Sequence, residues 1–260
     1  MSTLDDLFKQ TRAEGRGALI GYLPAGFPTV DGSKDLLAAV IDGGADLVEV
    51  GVPYSDPVMD GPTIQRAAET ALDAGFRLKQ LFEVVEAVSS RGGKAVVMTY
   101  WNPVNRYGVD AFARDLASAG GLGLITPDLV PDMADDWLVA SEEHGLDRIF
   151  LVAPSSSEQR LDSTVKASSG FVYATAVMGV TGARESVGAG AAELVRRTRA
   201  YTELPIGVGL GVRSGVQAAE VAAFADAVIV GSALVTAADG GADAVRALSA
   251  ELAEGVRKVV

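Results

Sequence analysis

The chain has 260 residues, 48% of them hydrophobic, and its 34 acidic and 22 basic residues give a net charge of −12. That charge disfavours nucleic acid or an anionic membrane as a partner, because phosphate groups are bound through basic surfaces. The sequence contains no cysteine, which excludes disulfides, thiol nucleophiles and cysteine-bound metal clusters. We therefore expect a soluble cytoplasmic protein with a large core.

Strand-like and helical patterns alternate along the whole chain. The N-terminal residues predict a short amphipathic helix capped by Ser2 or Thr3. Short runs rich in β-branched residues then predict eight strands, at residues 18–23, 47–51, 95–99, 122–126, 148–152, 170–174, 206–209 and 227–230. Helical patterns lie between and after them, near residues 31–43, 63–90, 110–119, 131–144, 158–168, 190–201, 214–224 and 242–258.

Eight βα units predict a closed parallel barrel. We expect an α/β fold of the (β/α)8 TIM-barrel type, with residues 1–260 as a single domain and an extra N-terminal helix. Length alone also allows two small domains, but no linker or composition shift marks a boundary. An open doubly wound sheet is the alternative, although no Gly-x-Gly-x-x-Gly motif opens the first helix after the first strand.

Two acidic residues stand out near the end of the second predicted strand. Glu49 lies inside an apolar strand pattern, where a carboxylate costs several kcal/mol unless it is paired or protonated. Asp60 precedes Gly-Pro-Thr, a pattern typical of a helix start. We interpret Glu49 as a proton carrier with a raised pKa, and Asp60, near loop water, as a carboxylate that stays ionised.

Glycines follow the last two strands and predict an anion site. The loops contain Gly209, Gly211, Gly231 and Ser232, in positions where barrels commonly bind phosphate through backbone N–H groups. Either loop alone could also be a simple turn. Residues 175–190, rich in small side chains, predict a lid over the rim, or merely a flexible loop.

The positions of the histidine and the lysines disfavour several catalytic mechanisms. His144 is the single histidine and follows an apparent helix on the return side of the barrel, so a histidine-bound metal and a Ser-His-Asp triad are both disfavoured. None of the lysines falls at a predicted strand end, which disfavours a Schiff base at the rim. Proton transfer by carboxylates remains, on a substrate that supplies its own electron sink.

Two adjacent motifs carry a family resemblance. Residues 49–57, Glu-Val-Gly-Val-Pro-Tyr-Ser-Asp-Pro, and residues 60–65, Asp-Gly-Pro-Thr-Ile-Gln, resemble the signature of the tryptophan synthase alpha subunit family. Further motifs similar to those of the family follow the expected order, at residues 21–28, 98–103, 127–129, 179–182 and 207–211.

The resemblance implies a (β/α)8 lyase that cleaves indole-3-glycerol phosphate to indole and glyceraldehyde 3-phosphate in a retro-aldol step. It implies that Glu49 is the general acid and base, that Asp60 binds the indole N–H, and that Tyr173 orients or assists the chemistry. The implied indole slot is lined by Tyr22, Tyr100, Leu124 and Leu151. The implied phosphate contacts lie around Gly182, Gly209, Gly211, Gly231 and Ser232, with Thr181 closing over Asp60.

The resemblance also implies a partner. Family members pair with a beta subunit that uses pyridoxal phosphate, in an alpha-beta-beta-alpha heterotetramer, so the resemblance implies neither a cofactor nor a metal in this chain. The residues expected to face the partner are Asp56, Pro57, Met59, Asn102, Asp128 and Val130. Met59, Leu122 and Val130 depart from the usual family pattern, and none of these departures removes a catalytic group.

Two other functions are alternatives to the lyase that the resemblance implies. Another phosphate-binding barrel, such as an isomerase of the same pathway, would carry similar glycine loops, but the segment of Glu49 and Asp60 disfavours it. A catalytically silent regulatory subunit would be indicated by loss of Glu49, Asp60 or Thr181, and all three residues are present.

Overall fold

The computed structural model describes residues 2–175, 184–209 and 211–257. Within these ranges the chain forms nine parallel strands and twelve α-helices. The strands are β1 (Ala18–Pro24), β2 (Leu47–Gly51), β3 (Ala95–Met98), β4 (Gly123–Ile125), β5 (Asp147–Ile149), β6 (Leu151–Val152), β7 (Val172–Thr175), β8 (Ile206–Gly209) and β9 (Ala227–Val230).

The helices surround the sheet and connect its strands. They are α1 (Thr3–Ala13), α2 (Val30–Asp42), α3 (Pro62–Asp73), α4 (Gln80–Ser89), α5 (Trp101–Tyr107), α6 (Val109–Ser118), α7 (Asp135–Glu143), α8 (Glu158–Ala167), α9 (Arg184–Arg199), α10 (Gly215–Ala222), α11 (Ser232–Ala238) and α12 (Gly241–Arg257). A 3₁₀ turn, Pro131–Met133, precedes α7. Among the described residues, no helix combines the length and the apolar character needed to cross a bilayer.

The predicted (β/α)8 barrel is confirmed. Neighbouring strands pair in parallel in the order β5-β4-β3-β2-β1-β9-β8-β7-β6. The two end strands of this order, β5 and β6, are separated in the chain by Phe150 alone, so they form one interrupted strand that closes the ring. The carbonyl of Phe150 still accepts a hydrogen bond from the N–H of Tyr173, at 3.1 Å. The predicted fifth strand therefore appears as two strands.

Two helix predictions differ from the structure. The single helix predicted near residues 63–90 is divided into α3 and α4, because Gly75 adopts a left-handed φ of +91° just after α3 ends. The short helix α5 was not predicted, since it has only seven residues and lies just past the end of β3.

Alternating side chains separate two apolar layers. Val48 and Val50 point out of the barrel and pack beneath the helices, whereas Leu47 belongs to the cluster inside the barrel. The inner cluster also contains Ile20, Val96, Ile125, Ile149, Phe171 and Ile229. This alternation follows from the period of two along a strand, and it places Glu49 on the inner face with Leu47.

The predicted N-terminal helix is confirmed and packs against the inner layer. Ser2 accepts a hydrogen bond from the N–H of Asp5 at 3.2 Å, and the Asp5 carboxylate accepts one from the N–H of Ser2 at 2.8 Å, which is a capping box. Leu4, Leu7 and Phe8 join the inner cluster, and the Phe8 ring lies 5.6 Å from that of Phe171. The helix therefore covers the apolar side chains inside the barrel.

An ion pair fixes the start of the first two strands. The guanidinium of Arg16 donates two hydrogen bonds of 2.8 Å to the carboxylate of Asp46, which also accepts the N–H of Leu19 at 2.9 Å. Both charged side chains are largely buried, at 10% and 14% exposure. The pair raises the pKa of Arg16, because Asp46 stabilises its charge.

We expect Asp46→Asn to lower the free energy of unfolding by about 2 kcal/mol, since it removes the carboxylate that accepts two hydrogen bonds from the largely buried guanidinium and leaves only the more exposed Glu14 as a counter-charge. Urea unfolding followed by circular dichroism measures this loss. Asp162→Asn is the matched control, because Asp162 pairs with Lys166 on an exposed helix face, where loss of the pair should cost less than about 0.5 kcal/mol. Equal losses in the two variants would contradict the structural role of Asp46.

Candidate active site

Glu49 lies inside the mouth of the barrel. It is the third residue of β2 and stands in register with Tyr22 of β1 and Val96 of β3. Its side chain is buried, and its Oε2 atom has no hydrogen-bond partner. A buried carboxyl oxygen without a partner is costly to ionise, so these surroundings favour the protonated, neutral form of Glu49.

The surroundings of Glu49 shift its proton equilibrium. Burial, and secondarily the charge of Asp60, raise the pKa of Glu49 to about 8. Burial also raises the pKa of the Tyr173 hydroxyl, and the charge of Glu49 adds to that effect. The raised pKa predicted for Glu49 is thus confirmed, and desolvation is its main cause.

Asp60 is drier than the sequence suggested. It lies in the loop between β2 and α3 and is partly buried, which raises its pKa above the ordinary value. The expected place near loop water is consistent with the exposure of the adjacent Met59 and Gly61, but the raised pKa was not expected. A hydrogen bond from the Tyr100 hydroxyl acts in the opposite direction and favours the ionised form. The two carboxyls differ in degree of burial and in hydrogen bonding.

The hydroxyl of Tyr100 organises the loop that carries Asp60. It accepts hydrogen bonds from the N–H groups of Val58 and Met59, at 3.1 and 2.9 Å, and it donates to Oδ1 of Asp60 at 3.2 Å. Tyr54 packs against the Tyr100 ring at 5.3 Å. The sequence assigned Tyr100 to the indole slot, but the described cavity is not lined by it. Its contacts instead position Asp60.

Two glycines make room for the tyrosines of the site. A Cβ on Gly209 would lie 2.6 Å from the hydroxyl oxygen of Tyr173, and a Cβ on Gly51 would collide with the phenol of Tyr22. Sequence reasoning assigned Gly209 to phosphate binding and gave Gly51 no role. A glycine inside a strand is a recognised sign of close approach, and it could have indicated this contact.

A cavity of about 420 Å³ opens at this end of the barrel. It brings together Glu49, Asp60, Tyr22 and Tyr173. The predicted phosphate-loop residues also line it, namely Gly209, Gly211, Gly231 and Ser232. Residues of the lining that sequence reasoning missed are Gly61, Pro62, Thr63, Ile64, Met98, Arg213 and Ile229, while Met59, expected at the partner face, also lines it. Thr181 and Gly182, predicted to complete the site, lie outside the described residues.

Leu124, which the family resemblance implied for the indole slot, does not face the barrel interior. Leu124 of β4 stands in register with Val97, and both belong to the layer between the strands and the helices. The assignment of Leu124 to the indole slot was therefore wrong, and the adjacent Ile125 is the residue that faces the barrel interior. Leu151 packs against the inner cluster, next to Tyr173 in register, but the described cavity is not lined by it. A shift of one residue along a strand exchanges the two faces.

The residues predicted to face a partner lie on the loops and helix starts around the mouth. Asp56, Asn102 and Asp128 are exposed, as are the apolar side chains of Met59, at 52%, and Val130, at 41%. Pro57 is partly buried. Local hydrogen bonds order this face: Asn102 donates to the Tyr54 hydroxyl at 2.9 Å, and Asp128 accepts from the N–H of Trp101, also at 2.9 Å.

The fold and the site together define a (β/α)8-barrel protein whose reactive groups lie at the carboxyl ends of its strands. The family model described as tryptophan synthase alpha chain matches residues 8–259. The tryptophan synthase alpha chain of Nocardia farcinica is 64% identical over 256 residues, which cover 98% of this chain and 96% of the relative. That of Mycobacterium tuberculosis strain H37Rv is 63% identical, with coverage of 98% and 95%.

Solved structures similar to this chain are also tryptophan synthases. A structure of M. tuberculosis tryptophan synthase superposes with a TM-score of 0.94 at 63% identity, covering 98% of both chains. The alpha subunit of tryptophan synthase from Legionella pneumophila superposes with a TM-score of 0.91 at 30% identity over the full length of both chains. The chain belongs to the tryptophan synthase alpha chain family.

The raised pKa of Glu49 predicts a pH-dependent stability. Above about pH 4.5 the unfolded chain releases this proton while the folded protein retains it up to about pH 8, so wild-type stability falls across this window. We expect the advantage of Glu49→Gln, which carries no charge, to grow by about 1.4 kcal/mol per pH unit between those limits. Urea unfolding of both proteins at several pH values measures it, with Glu69→Gln as the exposed control. Parallel stability curves would contradict the assignment.

The Tyr100 contacts predict a loss of turnover on removal of one hydroxyl. In Tyr100→Phe, Asp60 loses a hydrogen-bond donor and two backbone N–H groups lose their acceptor, so we expect the pKa of Asp60 to rise and kcat for the reaction proposed below to fall about tenfold. Steady-state kinetics and titration of Asp60 by NMR measure these changes. Tyr107→Phe is the control, since its hydroxyl bonds to Asp115. Unchanged kcat in Tyr100→Phe would overturn the role of Tyr100.

Proposed function

We propose that this chain cleaves indole-3-glycerol phosphate to indole and glyceraldehyde 3-phosphate. One observation carries the proposal: the buried, unpaired carboxyl of Glu49 shares a cavity with Asp60 and Tyr173. A protonated carboxyl in a dry cavity can give a proton to a carbon atom and then take one from a hydroxyl group. Membership of the tryptophan synthase alpha chain family supports this choice of substrate.

The proposed reaction begins with proton transfer from Glu49. Because burial keeps Glu49 protonated at neutral pH, it can protonate C3 of the indole ring, and the positive charge that results is shared with the ring nitrogen. Glu49, now a carboxylate, accepts the proton of the neighbouring glycerol hydroxyl. The O–H electrons form the aldehyde, the C–C bond breaks, and its electrons restore the aromatic ring. Glu49 ends in its starting state.

Asp60 supports the charge that forms on the indole. Its carboxylate is proposed to accept the ring N–H, a charge-assisted hydrogen bond that strengthens as the ring becomes cationic. The donor hydroxyl of Tyr100 favours the ionised form that this role requires. Tyr173, which lines the same cavity, is proposed to orient the reacting groups. The electron sink is the indole itself, so the proposed step needs no metal or cofactor in this chain.

The glycine loops are proposed to hold the phosphate. Gly211 has a left-handed φ of +68° and lines the cavity with Gly231 and Ser232, so backbone can approach the ligand closely there. Gly182 and Thr181 belong to the same proposal, as a further phosphate contact and as the residue that closes over Asp60.

A beta subunit is the proposed partner, in an alpha-beta-beta-alpha assembly located in the cytoplasm. The support is the exposed apolar surface at the mouth, where Val58 is 79% exposed and Met133 is 74% exposed beside Met59 and Val130. Pyridoxal phosphate belongs to the beta subunit in this proposal, and indole made at Glu49 passes to it. The loop held by Tyr100 joins this surface to Asp60.

The proposed function predicts that Glu49→Gln and Asp60→Asn each lower kcat by ~100-fold or more, since each removes a positioned proton-transfer or charge-stabilising group. Indole release from indole-3-glycerol phosphate measures this, for the chain alone and with a beta subunit. Glu69→Gln, on the exposed face of α3, should keep wild-type activity.

Two results would contradict the proposal. Retained turnover in Glu49→Gln would refute the proton-carrier role. Absence of indole release by the wild-type chain, both alone and with a beta subunit, would reject the lyase and leave a silent regulatory subunit.

A further inference from the structure

The cavity at the barrel mouth is lined by a single cationic side chain within the described ranges, that of Arg213. The acidic groups of the same lining are Glu49 and Asp60. Glu49 is neutral while it is protonated, but the carboxylate of Asp60, in a chain of net charge −12, disfavours a phosphate-bearing ligand. A positive charge at the rim would therefore matter more here than in a protein with a basic cleft.

The backbone at Arg213 is fixed. Val212 is buried at 2% exposure, and the N–H of Arg213 donates to the side chain of Gln217 at 2.8 Å. Ser214 then caps α10 by accepting the N–H of Gln217, at 3.3 Å. These contacts hold the Cα of Arg213 at one place on the cavity rim.

The guanidinium of Arg213 has no carboxylate partner among the described residues, whereas Arg66 and Arg197 both form ion pairs. The side chain is exposed, and its guanidinium offers five N–H donors to an anion. A second cavity, of about 380 Å³, adjoins the first, and the two share Thr63, Arg213 and Ser232. Arg213 therefore lies where the two cavities meet, and it lines the first of them together with the glycine loops.

We infer that Arg213 binds the phosphate monoester dianion of the substrate, adding a charged contact to the backbone N–H groups of Gly211, Gly231 and Ser232. This inference rests on the proposed function and extends its phosphate site. Arginine suits the role because its planar fork matches a phosphate in a bidentate arrangement. The contact acts on a part of the substrate that does not react, so it contributes to binding and little to the chemical step.

The test uses glycerol 3-phosphate, a phosphate monoester without indole, as a binding probe. By titration calorimetry at low ionic strength, Arg213→Gln should raise its Kd about tenfold, as expected for loss of a hydrogen bond to a charged group. Arg213→Lys, which keeps the charge without the fork, should restore part of the affinity. Arg91→Gln is the control, because it removes the same charge from an exposed turn just before β3, at the other end of the barrel.

Turnover separates binding from chemistry. With indole-3-glycerol phosphate, Arg213→Gln should raise KM about tenfold, change kcat less than about twofold, and weaken the dependence of kcat/KM on salt. Equal Kd values in Arg213→Gln and Arg91→Gln would overturn the inference and leave the lyase intact. Binding of glycerol 3-phosphate without cleavage of the substrate by the wild-type chain would overturn the lyase and leave the anion site. Absence of probe binding by the wild-type chain would overturn the inference.

Discussion

The burial of one carboxyl group inside a parallel barrel is the constraint on which the site depends. Glu49 takes an inner-face position that the strand period gives to an apolar residue, and its Oε2 atom has no partner. Because ionising a buried carboxyl without a partner is unfavourable, Glu49 stays protonated near neutral pH. An ion pair at this position would remove the cost, and it would also remove the proton that the proposed cleavage uses.

The remainder of the mouth is arranged around that group. Gly51 and Gly209 lack side chains where Tyr22 and Tyr173 need space, so both phenols can line the cavity with Glu49 without displacing the strands. Tyr100 holds Asp60 and two backbone N–H groups of the same loop with one hydroxyl. The exposed apolar side chains beside that loop form the surface proposed to bind a beta subunit, so a partner bound there would contact the loop that carries Asp60.

Much of this was accessible from the sequence, and the exceptions have physical reasons. The alternation of strand and helix patterns along the chain predicted the barrel. The energetic cost of a carboxylate inside an apolar strand indicated Glu49. Leu124, which the family resemblance implied for the indole slot, was misplaced by one residue, and such a shift exchanges the two faces of a strand. The dryness of Asp60 and the role of Tyr100 arise from contacts across 40 residues of chain. Arg213 was missed because a lone arginine after a glycine loop has no distinctive pattern.

Folding keeps the carboxyl of Glu49 protonated at neutral pH, and the proposed cleavage depends on that proton. Carbon-13 NMR of protein labelled at glutamate side chains, with the Glu49 signal assigned by its loss in Glu49→Gln, measures that proton equilibrium directly. We expect a titration midpoint near 8, far above the ordinary value of 4.5 for a glutamate side chain. A midpoint close to 4.5 would identify an ordinary, ionised carboxylate and would rule out Glu49 as the proton donor.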